Sequence, residues 1–204
     1  MRPQTHPNLV HTEGPGACHN KPMTQPVLIA FESHGGQTAR IAHRLGTELV
    51  AQGIAVDVVD LRKQACTPSG VRGVIVGASV RYGRHSAALR RWVTAHRAAL
   101  NALPGGFFSV SLVAASQRAQ DRGIAKGLID TFLRETGWTP ALTLSVAGAL
   151  HYRQYNIVLR LLMRRIARRS GGDTDTSRDH EYTDWAAVDG FAHAMVAKIG
   201  PPAP

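Results

Sequence analysis

The sequence predicts an α/β three-layer sandwich, with a five-stranded parallel sheet, helices on both faces and an Arg-rich helical insertion after the fifth strand. Three observations predict it. Short apolar runs of strand length alternate with segments whose apolar residues recur at helical spacing, which is the rhythm of βαβ units. The third run, Gly73–Ser79 (GVIVGAS), is apolar throughout, as a strand covered on both faces must be. The first run passes directly into a glycine-rich turn that opens a helix. A length of 204 residues suits one such domain with a sizeable core.

The elements follow in order. Val27, Leu28, Ile29, Ala30 and Phe31 form the first strand, and Ser33, His34, Gly35, Gly36, Gln37 and Thr38 form the turn. Ile41, Ala42, Leu45, Leu49 and Val50 then mark a helical face, with Arg40, Arg44 and Glu48 between them, until Gly53 ends the helix. Ile54–Asp60 reads as the second strand. Ala87–Leu100 is a helix with Leu89, Trp92, Val93 and His96 on one side and Arg90, Arg91 and Arg97 on the other. Phe107–Ala114 is the fourth strand. Ile124–Glu135 is a helix with an Ile124, Leu128, Phe132 stripe, and Leu142–Leu150 is the fifth strand. Asp184–Ile199 closes the fold, with Asp184 as N-cap and Val188, Phe191, Ala192 and Met195 on the buried face. Residues 25–200 thus make the domain. Residues 1–24 carry His, Pro, Asn and Gly without an apolar period and read as a disordered extension, with Met23 as an alternative start.

The turn after the first strand carries chemistry. Backbone N–H groups at a helix start point at an anion, and the helix dipole favours negative charge there. Ser33 and Thr38 can add hydroxyl donors, and the glycines let the backbone come close. No Lys follows the second Gly, so this is no Walker A loop, and it is not GxGxxG. A Ser/Thr-rich turn fits a mononucleotide such as FMN; the competing reading is a tight bend and nothing more. Ligands of parallel sheets sit at the carboxyl ends of the strands. Here those ends are Ser33–Thr38, Ala78–His85, Ala114–Arg122 and Gly148–Arg153. Tyr82 can stack on a flavin ring, and Gly83 lets the backbone approach the ring edge.

The formal net charge is +10, which calls for an anionic partner. Residues 151–171 hold six arginines and no acid. In the 151–181 insertion Tyr155, Val158, Leu159, Leu162, Met163 and Ile166 share one broad helical face, with Arg160, Arg164 and Arg168 opposite and Ile157 and Leu161 mixed among them; Arg165 and Arg169 add to the charge. Such a cationic amphipathic helix reads as an element lying on an anionic membrane or as a dock for an acidic, greasy ligand; packing on the sheet with a solvated Arg face is the alternative. Few aromatics and no matching motif make nucleic acid the weaker option, and no nucleic-acid partner is expected. No metal is expected. His6, His11 and His19 are too loosely spaced, and Asp173 and Asp175 do not continue into a calcium loop. Cys18 and Cys66 make no framework, so a reducing cytoplasm is expected. No run is long enough to span a bilayer.

Taken together, FESHGGQT, GASVRYGRHSAAL, AGALHYRQY, LLMRRIARRSGGDTDT and YTDW resemble the menaquinone-dependent protoporphyrinogen oxidases, which are flavodoxin-like, FMN-binding enzymes of haem biosynthesis. The resemblance covers about residues 26–199. It implies that Ser33, Gly36, Gln37 and Thr38 bind the FMN phosphate, with backbone from His34 and Gly35. It implies that Ala78, Ser79, Val80, Arg81, Tyr82 and Gly83 line the isoalloxazine, and we add the strand-end positions Ala114, Ala115 and Gly148. The substrate would be protoporphyrinogen IX and the acceptor a membrane quinone, with the protein peripheral on the inner face of the cell membrane. Arg81, Arg84 and Arg153 are candidates for the propionates, because Arg pairs with carboxylates bidentately. Val158, Leu159, Leu162, Met163, Arg164, Arg165, Ile166, Arg168 and Arg169 are candidate membrane contacts. Gly35 stands where related turns often carry Thr or Asp. No protein acid or base is singled out; His85 and His151 are better read as structural. A flavodoxin-type electron carrier and an NAD(P)H:quinone reductase are the alternatives, and homo-oligomerisation is left open.

Overall fold

The computed structural model describes residues 25–116, 118–150 and 180–200. The proposed extension at 1–24, Arg153 and all the membrane-contact candidates lie outside the described residues. The element order is β1 (Val27–Glu32), α1 (Gln37–Ala51), β2 (Val56–Asp60), β3 (Gly73–Ser79), α2 (Ala87–Ala95), α3 (Arg97–Asn101), β4 (Gly105–Ser111), α4 (Ala119–Thr136), β5 (Leu142–Ala147), β6 (Ala149–Leu150), β7 (His180–Glu181) and α5 (Trp185–Ile199). The five long strands are parallel in the order β2-β1-β3-β4-β5. The chain reverses its direction of travel across the sheet between β1 and β3, so the loops leaving those strands diverge and open a crevice.

Every residue of β1 is buried, which is why its sequence is apolar without alternation. Val27, Ile29 and Phe31 pack with Ile41, Leu45 and Leu49 of α1 and with Val188, Phe191 and Met195 of α5. Leu28 and Ala30 face the other way, toward Leu89 and Val93 of α2 and Ile129 and Phe132 of α4. The two cores thus use alternate residues of the same strands. The Asp184 cap is present: its carboxylate accepts from the Ala187 N–H at 3.0 Å.

Several boundaries differ from the expectation. The second strand begins at Val56, because Ile54 N–H still bonds Leu49 O at 3.1 Å in the turn after α1. The 87–100 helix is broken at His96 into α2 and α3. The fourth strand ends at Ser111, where the chain tightens into a 3-10 turn, Val113–Ala115. Beyond that point β5 has no neighbour to pair with, so it stops at Ala147. Residues 149–150 instead pair antiparallel with 180–181, at the root of the insertion. Helix α4 starts earlier than expected and buries Ala125, Ile129, Phe132 and Thr136; of the expected stripe Phe132 is on this face, whereas Ile124 is half exposed. Val50 likewise points to solvent.

Candidate functional site

The crevice is built from three strand ends. The first is the turn after β1. Gly36 sits at φ +86°, in the left-handed region that favours glycine, and its N–H donates to Ser33 Oγ at 3.1 Å. A Cβ placed on Gly35 or Gly36 would meet no atom within 4 Å, so the turn faces open space. Helix α1 begins here with no side-chain cap and no acid in its first turn. By contrast α2 is capped by Ser86 and α5 by Asp184. The start of α1 therefore keeps free N–H groups and an uncompensated positive dipole end, with Thr38 buried beside it.

Charge gathers around this turn in a way the sequence reading missed. Arg62, just past β2, donates from Nη1 to Ser33 O at 2.7 Å. His34 lies 3.7 Å from Glu32 through Nε2 and 3.4 Å from Ser79 Oγ through Nδ1. Partial burial, then Arg62, hold its pKa below the ordinary value, against an opposing pull from Glu32. Glu32 is buried and accepts from the Ser86 hydroxyl, so it ties the first strand end to the second.

The second strand end is a small hairpin. Arg81 N–H donates to Arg84 O at 3.0 Å and Arg84 N–H to Arg81 O at 3.1 Å. Between them Tyr82 (φ +50°) and Gly83 (φ +73°) make a two-residue turn of the mirror-image kind. Placing a tyrosine at positive φ costs about 1–2 kcal/mol. The turn lifts the ring clear of the body, where it is 79% exposed with the Arg81 guanidinium 5.5 Å from its centroid. Arg81 and Arg84 flank it, both exposed. Below the hairpin His85 is buried, with Nε2 2.9 Å from Ser109 Oγ and its ring edge-on to Phe107 and Phe132. Burial, helped by Arg90, pushes its pKa down to about 4, so it is neutral and structural, as expected.

The third strand end belongs to β4 and β5. Ala114 and Ala115 sit half-buried in the 3-10 turn, and Gly148 is buried with its N–H on Ser111 O at 3.1 Å. Ser111 Oγ is buried without a hydrogen-bond partner among the described residues. An orphaned hydroxyl at a strand's carboxyl end is what a ligand's polar atom would satisfy.

One expected residue behaves differently from the others in the turn. The Gln37 side chain faces away from the open space. It donates to Thr183 Oγ1 at 2.7 Å and to Glu181 Oε1 at 3.1 Å, and accepts from Arg40 Nη1 at 3.1 Å. Only its backbone N–H remains for an anion. Thr183 and Glu181 are thus site residues that sequence reasoning passed over. The signal was in YTDW: Thr183 holds Gln37, Asp184 caps α5, and Trp185 lies under Arg40 with 5.5 Å from guanidinium to ring centroid.

The residues present fit a flavin mononucleotide: an uncapped helix start behind two glycines for the phosphate, and an exposed tyrosine with small-residue strand ends for the ring. Comparison with known proteins agrees in kind. A family model described as a flavodoxin domain matches residues 28–177. The chain is 36% identical over 172 residues to the protoporphyrinogen IX dehydrogenase [quinone] of Escherichia coli K12, covering 82% of this chain and 93% of that protein. A Leishmania major protein of the same name is 36% identical over 174 residues, covering 83% of this chain and 74% of its own. Among solved structures, an archaeal flavodoxin aligns with a TM-score of 0.50 at 16% identity, covering 86% of this chain and 99% of its own. Flavodoxin 1 of Bacillus cereus aligns with a TM-score of 0.52 at 13% identity, covering 85% and 98%. At these identities the solved structures speak for the fold alone.

Proposed function

This chain belongs to the flavodoxin-domain family, and from that membership we propose that it is an FMN-dependent dehydrogenase of protoporphyrinogen IX that delivers electrons to a membrane quinone in haem biosynthesis. The observation that carries the reading is the crevice between β1 and β3. It joins an uncapped, acid-free helix start to an exposed Tyr82 flanked by two arginines. The curated relatives, with their shared name and 36% identity, support the substrate and acceptor.

When bound, FMN would supply the two-electron redox chemistry that links porphyrinogen oxidation to quinone reduction. Full oxidation removes six electrons and six protons and reduces three quinones to quinols. The chain's own residues do the rest. Ser33, Thr38 and the N–H groups of 34–38 hold the phosphate. The backbone of Ala78–Gly83, with Ala114, Ala115 and Gly148, borders the ring. Arg81 and Arg84 stand exposed at the rim, where two propionates can be met by bidentate pairing. Peripheral attachment to the inner face of the cell membrane, through the basic segment at 151–171, belongs to the same proposal.

The test is porphyrin fluorescence after protoporphyrinogen IX and a menaquinone analogue are added anaerobically to FMN-loaded protein. Quinone-dependent growth above the rate without enzyme is the expected result. A flat trace with redox-active FMN would overturn the assignment and leave an electron carrier or another quinone reductase.

A further inference from the structure

Two adjacent glycines make the phosphate turn the most permissive stretch of backbone in the site, and neither carries a side chain with which to hold a conformation. Ser33 holds one side of it, through the Gly36 N–H and the Arg62 guanidinium. The other side is held by Gln37, the opening residue of α1, which is 5% exposed. An amide side chain has two N–H donors and one carbonyl acceptor group. Here the donors serve Thr183 Oγ1 and Glu181 Oε1 at 2.7 and 3.1 Å, and the carbonyl receives Arg40.

The orientation is dictated as well as satisfied. Flipping the amide would set its carbonyl against the Glu181 carboxylate and its N–H groups against the Arg40 guanidinium. Arg40 also reaches Glu181 Oε2 at 2.9 Å, which closes the ring of contacts. Thr183 is held in turn, because its hydroxyl donates to Ala147 O at 2.9 Å, at the last residue of β5. A hydroxyl that accepts from Gln37 and donates to a strand carbonyl is doing both things only Ser or Thr can do there.

We propose that Thr183 and Glu181 are positioning residues for cofactor binding: they fix Gln37, and through it the Gly35–Gly36 turn, in the geometry that receives a phosphate. They touch no cofactor themselves, and their effect is confined to ligands that carry the phosphate. The inference rests on the FMN reading above.

The experiment titrates the full-length apoprotein with FMN and, separately, with riboflavin, following quenching of flavin fluorescence. Wild type is expected to prefer FMN. Thr183→Val keeps the side chain's shape and removes both hydrogen bonds; it should weaken FMN binding about tenfold and leave riboflavin binding unchanged. Thr183→Ser should restore the FMN affinity. Glu181→Gln should weaken FMN binding by a smaller factor, about threefold, and carries the same comparison should Thr183→Val not fold. Equal loss for both flavins, or no loss for either, overturns the inference while the wild-type preference stands. A wild type that binds riboflavin as well as FMN overturns the phosphate reading itself.

Discussion

His85 shows how one buried group can set a pH limit for the whole domain. It is 4% exposed, its ring edge-on to Phe107 and Phe132, with Ser109 as its polar partner among the described residues. Burial lowers its pKa to about 4, from 6.5 in the unfolded chain. Between those values the unfolded state binds the extra proton, so stability is full above pH 6.5 and falls as pH drops toward 4. The gap is worth roughly 3 kcal/mol. Urea unfolding at pH 7.5 and pH 5 should show the loss, and His85→Gln should flatten the dependence while lowering stability at both. Gly77 is a second case. A Cβ there would stand 2.2 Å from a ring carbon of Phe108, itself fully buried. Gly77→Ala should therefore destabilise by about 1–3 kcal/mol, seen as a lower Tm. His85 was read from the sequence as structural only on the general expectation for a lone histidine, since its neighbours Arg84 and Ser86 say nothing of burial. The demand on Gly77 was not legible, because the ring that fills its place comes from a different strand.

At the scale of elements, the sequence carried type and order well and ends poorly. The apolar runs of β1 and β3 marked them as central, and both are buried along nearly their whole length. Ends failed where a partner, not a propensity, decides them. The FFSVSLVA run invites a strand to Ala114, yet β4 stops at Ser111 as the chain tightens into a 3-10 turn, and β5 stops opposite it. Helix α4 was found and Phe132 correctly placed on its buried face, but Ile124 was misplaced there, being apolar and nonetheless half exposed. Capping was legible in one case and missed in another. Asp184 was expected. Ser86 was not, although it accepts the Leu89 N–H at 3.0 Å and donates to buried Glu32. Ser86→Ala removes both roles. It should cost about 1 kcal/mol for the cap and more for the stranded carboxylate. A drop in Tm, with faster hydrogen exchange at Leu89, is the expected outcome.

For the whole molecule, the charge of +10 acquires a direction once the fold is known. Arg62, Arg81 and Arg84 all leave strands at the carboxyl edge of the sheet, the same edge that holds the uncapped start of α1. On the proposed function, a phosphate and two propionates would meet that edge. The turn was legible from residues 33–38 because strand, glycines and helix are contiguous. The Thr183 and Glu181 anchor was not, since it joins residues about 145 positions apart across the layers. The rim arginines allow a decisive test of how the edge is used. Their guanidinia are exposed, so on the proposed function a contact with a propionate would be screened by salt and, lying away from the reacting carbon, would contribute alike to substrate and transition state. Arg81→Gln with Arg84→Gln should then raise KM for the porphyrinogen about tenfold with kcat nearly unchanged, the mark of uniform binding. Raising ionic strength should lift the wild-type KM in the same direction and leave the double variant almost indifferent. A fall in kcat at constant KM would instead place these arginines against the flavin, and steady-state kinetics at two salt concentrations separates the two.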